Sequence, residues 1–505
     1  MLRNITLNLN DKVLTPNGKS ITVDSGTLTV GGSKEDQASF VTGVCSSSSG
    51  IDGTYSPRVV QIGDNYYASL ASAVAVAEEN SEVKLLSDIT LAESVTVSKS
   101  ITLDLNSKAV TKSGDSYVYV NAGALTLKNP ATNQSEFVFG VKGENGTYTA
   151  CVAQIGNNTY FATLEAAIDA AEDGDTVVLL QDTSLTIPKV IWKNLIIDLN
   201  KHIVSFVNPN NEKGAAIKVG INNEDIRNNS TITDVPKYKL EIRDGKINAD
   251  RGKNAGTVFA IYGGSTLYLE GVTVDDKTTS IPESVSYSTI SVEAYYDLDK
   301  NVGCSSNVIV KNSTLTNEYG KMVIDGYSGQ SDGKPVVIEI ENSKIEAKAE
   351  FSDGIHAIGH ATITVKDSTI IGGLRGLYAH PVGTFSTGFT CKGEQTVNIE
   401  NSTIKATTKD ATPYKEFGSS YALLVYAVGD STVTLNDVEL EKADTTEDGD
   451  PTCIVAFAAI YMPDKWAMPV DSSSIKVYGN SADAEKVALW KANAGGTVTY
   501  CSETE

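Results

Sequence analysis

The sequence predicts an all-β protein wound as a parallel solenoid, and two observations carry that expectation. First, a segment starts twice. Gly53-Thr54-Tyr55, Val60-Gln61-Ile62-Gly63 and a helical stretch from Ser69 to Glu79 return as Gly146-Thr147-Tyr148, Ala153-Gln154-Ile155-Gly156 and Thr163 to Glu172, 93 to 94 residues later. Second, a short phrase recurs from Leu240 onward: alternating apolar residues, Asn or Asp, a small residue, then another apolar strand. Internal repeats of this kind point to an array rather than a single closed core.

The first repeat is incomplete. Asn4-Ile5-Thr6-Leu7-Asn8-Leu9-Asn10 matches Ile101 to Asn106 and Leu195 to Asn200, without the front half of the unit. The expected organisation is a truncated unit over 1–57, a complete unit over 58–149, a main coil over 150–480, and a C-terminal capping helix and strand over 481–505. Residue 1 falls inside a unit on this reading, so a longer parent protein is expected. In the second full start, Leu164, Ala167, Ile168 and Ala171 share one helix face. Glu172-Asp173-Gly174-Asp175 then stops the helix, and Thr176-Val177-Val178-Leu179-Leu180 opens a strand.

The phrase of the main coil runs through Asp244, Gly271, Asn312, Asn342, Asp367, Asn401 and Asp437, at intervals of 27, 41, 30, 25, 34 and 36 residues. Strands that alternate apolar and polar present one face inward. Asn or Asp between them accepts a left-handed turn. A coil needs about two dozen residues, with the excess placed in loops. Stacking aligns Asn312 with Asn342, and Asp367 with Asn401, in a side-chain ladder; this reads the Asn-x-Ser/Thr triplets as turn residues rather than glycan acceptors. A β-sandwich also has short strands and turns, but the same phrase recurs here without hairpin dipeptides.

The Leu-x-x-Ala-Ile-x-x-Ala helix, Gly-Asp turn and Val-rich strand resemble the opening of the pectin-lyase-like right-handed parallel β-helix superfamily. That resemblance implies a helix capping the N-terminal end of the coil, which would cover an exposed sheet edge. The Gln-Ile-Gly, Tyr-x-Thr-Leu, Asp-Leu-Asn-x-Lys and Gly-Thr-Tyr elements are similar to repeats of large surface proteins of gut Firmicutes. The superfamily holds lyases, hydrolases, epimerases and non-catalytic adhesins, so it implies fold more than function.

Candidate chemistry lies on the outward face of one strand series. Aligned on the turn phrases, Val292, Ile324, Ile355, Leu377 and Val425 point inward, and Glu293, Asp325, His356, Tyr378 and Tyr426 form an outward ladder. Rungs are ~4.8 Å apart. Glu293 and Asp325 are then candidate catalytic carboxylates, close enough for a retaining glycosidase, with His356 and Arg375 orienting sugar or moving protons. Tyr295, Tyr296, Tyr378, Tyr426 and His380 are candidate ligand-binding residues. Polar and aromatic residues are also the ordinary outward face of such a coil, with Asp353 over Arg375 an expected surface pair. The hydrolase signatures of the superfamily are not reproduced: Ser352-Asp353-Gly354 and Gly359-His360-Ala361 lack an adjacent Asp-Asp and an Arg-x-Lys.

A net charge of −22 argues against nucleic-acid binding. Six dispersed cysteines predict isolated thiols, and four histidines form no metal knuckle. No cofactor is implied; calcium is the one ion that Tyr295-Tyr296-Asp297-Leu298-Asp299 suits. No apolar run is long enough to span a membrane. The expected function is a non-catalytic, secreted or cell-surface spacer or adhesin that contacts polysaccharide or host glycan. The alternative is a polysaccharide hydrolase or lyase acting through the stripe between Glu293 and Tyr426.

Overall fold

A computed structural model of the chain describes residues 4–35, 37–47, 50–210, 214–228, 234–252, 256–278, 287–297, 302–328, 334–380, 382–384, 390–410, 420–427, 431–443, 453–457, 474–478, 487–488 and 497–501. It divides into two compact units, Met1–Val152 with Tyr160–Ala162, and Ala153–Thr159 with Thr163–Glu505. Both are built from parallel strands stacked in register.

The first unit holds two cores. One gathers Val23, Leu28, Val30, Phe40, Val41, Ile51 and Tyr55; the other runs from Val60 to Tyr148 through Leu85, Leu103 and Leu125. Parallel pairing joins Ile5–Asn8 to Leu28–Gly31, and Ile101–Asp104 to Ala124–Lys128. The repeated Gly-Thr-Tyr segments lie in or at the start of strands, Gly53–Ser56 and Thr147–Thr149. Gly53–Ser56 pairs antiparallel to Leu28–Gly31 and Thr147–Thr149 to Ala124–Lys128, with Tyr55 opposite Leu28 and Tyr148 opposite Leu125. They close the coil they follow. All three repeat copies turn through two consecutive left-handed residues, Asn10-Asp11, Asn106-Ser107 and Asn200-Lys201.

The predicted helices form as α1 (Leu70–Val76) and α2 (Leu164–Ala170), each shorter than its apolar pattern. Ser69 and Thr163 are the N-caps, accepting from the backbone N–H of Ser72 and Ala166. Leu164, Ala167, Ile168 and Ala171 are buried as expected. Each C-terminus is held by a lysine one coil later: Lys99 Nζ donates to Ala77 O, and Lys193 Nζ to Ile168 O and Ala171 O. These bonds satisfy carbonyls that the helix leaves open.

The second unit is an all-β, right-handed parallel β-helix. A full coil has three strands, as in Val336–Glu341, Lys344–Ala347 and Asp353–Gly359. The left-handed residue between the first two is Asn342 here, and Asp244, Gly271, Asn312, Asp367, Asn401 or Asp437 elsewhere, with φ between 46° and 64°. The next coil begins just past Gly359, whose φ of 87° and whose approach to Ser328 O leave no room for a Cβ. Inward residues stack through the whole coil: Leu195, Leu240, Leu267, Val308, Ile338, Ile363, Val397 and Val433 are successive register partners. All are buried.

Two side-chain ladders line the bend. Asn342 Nδ2 donates to Asn312 Oδ1 at 2.6 Å, and Asn401 Nδ2 to Asp367 Oδ1 at 3.2 Å, the ladder the sequence predicts. Beside it the small residue of the phrase makes a buried one. Ser313, Ser343 and Ser368 each donate their backbone N–H to the hydroxyl of the serine one coil on, ending at Ser402. Each hydroxyl in turn donates to the carbonyl two residues before it. Of the predicted helix over 481–492, only Val487 and Ala488 lie among the described residues. They form a strand parallel to Cys453–Ile454, so the sheet continues where a helix was expected.

Candidate functional site

Five parallel strands carry the candidate residues: β1 (Ser288–Glu293), β2 (Met322–Ser328), β3 (Asp353–Gly359), β4 (Arg375–His380) and β5 (Tyr421–Ala427). The inward assignments hold, since Val292, Ile324, Ile355, Leu377 and Val425 are all buried. The central rungs hold too: Asp325 pairs with His356, and His356 with Tyr378. Both ends of the predicted ladder are shifted by two residues. Ser291, not Glu293, lies opposite Asp325, and Glu293 lies opposite Tyr327. Leu424, not Tyr426, lies opposite Tyr378. A shift of two preserves which face a side chain points to, so alternation alone cannot detect it.

The shift separates the carboxylates. Glu293 and Asp325 are one strand and two residues apart, ~8 Å along that diagonal by strand geometry. The adjacent-rung placement from which a retaining pair was expected is therefore replaced by a diagonal one. Other candidates also change role. Tyr295 is 2% exposed and packs with Ile226, Val235 and Cys304, so its ring is core rather than a sugar platform. The side chains of Tyr296, Asp297 and Tyr426 lie outside the described ones, as do residues 298–299 of the calcium-suited stretch. Arg375 and Asp353 make a buried bidentate pair, Nε to Oδ1 at 2.7 Å and Nη2 to Oδ2 at 3.1 Å, where a surface pair was expected.

What the fold brings together is a row running diagonally over β2, β3 and β4. His356 Nδ1 lies 3.0 Å from Asp325 Oδ1, and His356 Nε2 lies 3.1 Å from His380 Nε2. Tyr378 stacks on His356 and His380, with ring centroids 5.1 and 4.7 Å apart. Arg375 Cζ sits 3.9 Å from the centre of the Tyr378 ring. Because the rings stack on one another, Tyr378 presents less of its face to a sugar than the sequence suggests. The His356–Asp325 pair is largely covered, at 13% and 24% side-chain exposure.

Hydrogen-bond roles follow from the chain of contacts. When His356 Nδ1–H donates to the carboxylate, Nε2 accepts and His380 Nε2–H donates. Asp325 then orients His356 and balances any positive charge the imidazoles take up. His360 of the Gly359-His360-Ala361 segment stands apart; its Nε2 is buried without a hydrogen-bond partner among the described residues.

Sequence reasoning missed a second polar group, inside the coil. Asp276 is fully buried and accepts from Tyr287 Oη and Thr289 Oγ1, each at 2.9 Å, and from the Thr278 N–H. Asn317 donates to Thr289 Oγ1 and the Met322 carbonyl. Burial raises the Asp276 carboxyl above its ordinary range against the pull of these hydrogen bonds, and raises Tyr287 well above its own. Desolvation lowers Arg251, whose guanidinium donates to Gly214, Gly256 and Thr257 carbonyls. The signal was present in the alternation: Val272, Val274 and Asp276 share the inward parity.

Cys45, Cys151 and Cys304 are free thiols. Among the described residues no helix is long and apolar enough to cross a membrane. No family model and no curated protein matches the chain. Two solved structures are similar to it. The endo-xylogalacturonan hydrolase from Aspergillus tubingensis is 11% identical over 68% of this chain and 95% of its own, at a TM-score of 0.27. The PL6 family alginate lyase AlyGC is 12% identical over 99% of this chain and 67% of its own, at a TM-score of 0.31.

Proposed function

We propose that the protein acts on a polysaccharide, outside the cell or at its surface, and cleaves it by proton abstraction at the Asp325–His356–His380 row. The observation that carries this reading is the row itself: a carboxylate, two imidazoles and a phenol in mutual contact on the outward face of a β-helix. Hydrolysis by paired carboxylates is the weaker form, since Asp325 is committed to His356 and Glu293 lies two residues out of register. An imidazole base suits β-elimination on a uronic-acid polymer. With His380 in its other tautomer, protonated on Nδ1, His356 Nε2 takes the proton next to the substrate carboxylate, the adjacent C–O bond breaks as the C=C bond forms, and the Tyr378 hydroxyl protonates the leaving oxygen. Asp325 holds the resulting imidazolium.

The test is ultraviolet absorbance of unsaturated ends, with reducing-end release, across pectins, alginate, hemicelluloses and mucin glycans. His356→Ala and Tyr378→Phe should each remove the signal, and Asp325→Asn should reduce it. Silence of the wild type across the panel would sink the cleavage reading.

The spacer or adhesin reading has its own support in the continuous Ser ladder and the Asn pairs beside it, which brace successive coils without reference to any substrate. Glycan-array binding without product release, insensitive to His356→Ala, is the outcome that reading requires.

A further inference from the structure

The geometry points to a transition-metal site at His356 and His380. Two imidazole nitrogens bound to one tetrahedral zinc at ~2.0–2.1 Å lie about 3.3 Å apart, and the two Nε2 atoms are already 3.1 Å apart. The same separation accommodates a shared proton, so the pair can hold either a proton or a metal ion. Three further features build the site. Asp325 Oδ1 contacts the opposite nitrogen of His356 at 3.0 Å, the place where a carboxylate fixes the tautomer and orientation of a metal-bound imidazole. Tyr378 stacks on both rings and sets their planes. The bidentate Asp353–Arg375 pair anchors the start of the strand that carries Tyr378 and His380.

Imidazole donors select late first-row divalent ions, zinc, copper, nickel or cobalt, rather than calcium or magnesium. Among the described residues no group of three His, Cys, Asp or Glu side chains is placed to hold a metal. The site is therefore a two-histidine one, with its remaining positions open to water or to an oxygen ligand such as a sugar hydroxyl or carboxylate.

The inference shares side chains with the proposed cleavage but does not depend on it, because binding is read without substrate. A metal on both Nε2 atoms takes the lone pairs that the base would use. Bound zinc should therefore suppress elimination rather than assist it.

The full chain, stripped with chelator, is titrated calorimetrically with zinc, and with cobalt(II) followed by visible absorption. One saturable equivalent is expected, giving a cobalt spectrum that zinc displaces. His356→Ala/His380→Ala should abolish the event. Asp325→Asn should weaken it by roughly 10- to 100-fold, and His202→Ala/His360→Ala should leave it intact. If the double variant loses its β-sheet circular dichroism, His380→Gln carries the same test from a half-buried strand end. Absence of saturable binding, or binding unchanged in His356→Ala/His380→Ala, overturns the site and leaves a shared proton only. Zinc binding without product release sinks the cleavage alone. Product release without zinc binding sinks this inference alone.

Discussion

Ser343 shows how a single residue can matter more than its size suggests. Its hydroxyl accepts the buried N–H of Ser313 and donates to the Glu341 carbonyl, while its own N–H reaches Ser368. Ser343→Ala leaves a buried donor without a partner, which costs about 1–3 kcal/mol. Asn342→Gly, one residue away, keeps the left-handed bend and removes only an exposed side-chain bond. Urea unfolding should therefore rank Ser343→Ala as the more destabilising, and the reverse order would refute the serine ladder as a structural element. Asp276 gives a second test at this scale. Its folded-state pKa is raised by burial, so its contribution is fully present below the unfolded carboxyl pKa. It is lost as pH rises through the higher folded value. Wild-type stability should fall over that window, and Asp276→Asn should flatten the fall. Equal pH slopes in the two proteins would show that Asp276 is not the titrating group.

At the scale of elements, the helices and the strand registers teach different lessons. The α2 cap is held at both ends by identifiable groups, Thr163 at its start and the Lys193 ammonium at its end. Thr163→Ala and Lys193→Met should each cost about 1 kcal/mol, measured as a shift in the urea midpoint. A null result for Lys193→Met would mean that water replaces the ammonium at the carbonyls. The helix face, the Asn/Asp bends and the inward residues were legible because burial and left-handed geometry restrict residue type. Register was not equally legible, because backbone hydrogen bonds align strands whatever the side chains are. Between Glu293 and Met322 the chain leaves the rung for the antiparallel Tyr295–Asp297 and Val302–Cys304 pair, which hides a two-residue slip. The Asp325–His356–Tyr378 rungs were readable because Asp325, His356 and Tyr378 follow uninterrupted Ile-x or Leu-x alternation. His380 was counted as a ligand-binding residue, but its approach to His356 runs diagonally across the strands, where no sequence alignment of coils would place it.

For the whole molecule, the parallel stack makes each coil depend on its two neighbours and on little else. Ile363 sits between Ile338 and Val397 in register, and all three are fully buried. Ile363→Ala removes packed volume on both sides and should cost about 2–5 kcal/mol. In a stacked repeat, stability is a sum of coil terms and nearest-neighbour interfaces, so the loss should stay local. Amide exchange should accelerate in Val336–Glu341, Ala361–Lys366 and Gln395–Glu400. Strands several coils away, Leu195–Asp198 and Lys239–Asp250, should keep their protection, as should Ile101–Asp104 in the first unit. Exchange that rises equally from Leu195 to Val433 would instead mean that the main coil opens as one cooperative body. The row at His356 would then depend on distant packing. Local loss would place its rigidity in the coils of β2, β3 and β4, the same coils that set the distance between the two imidazoles.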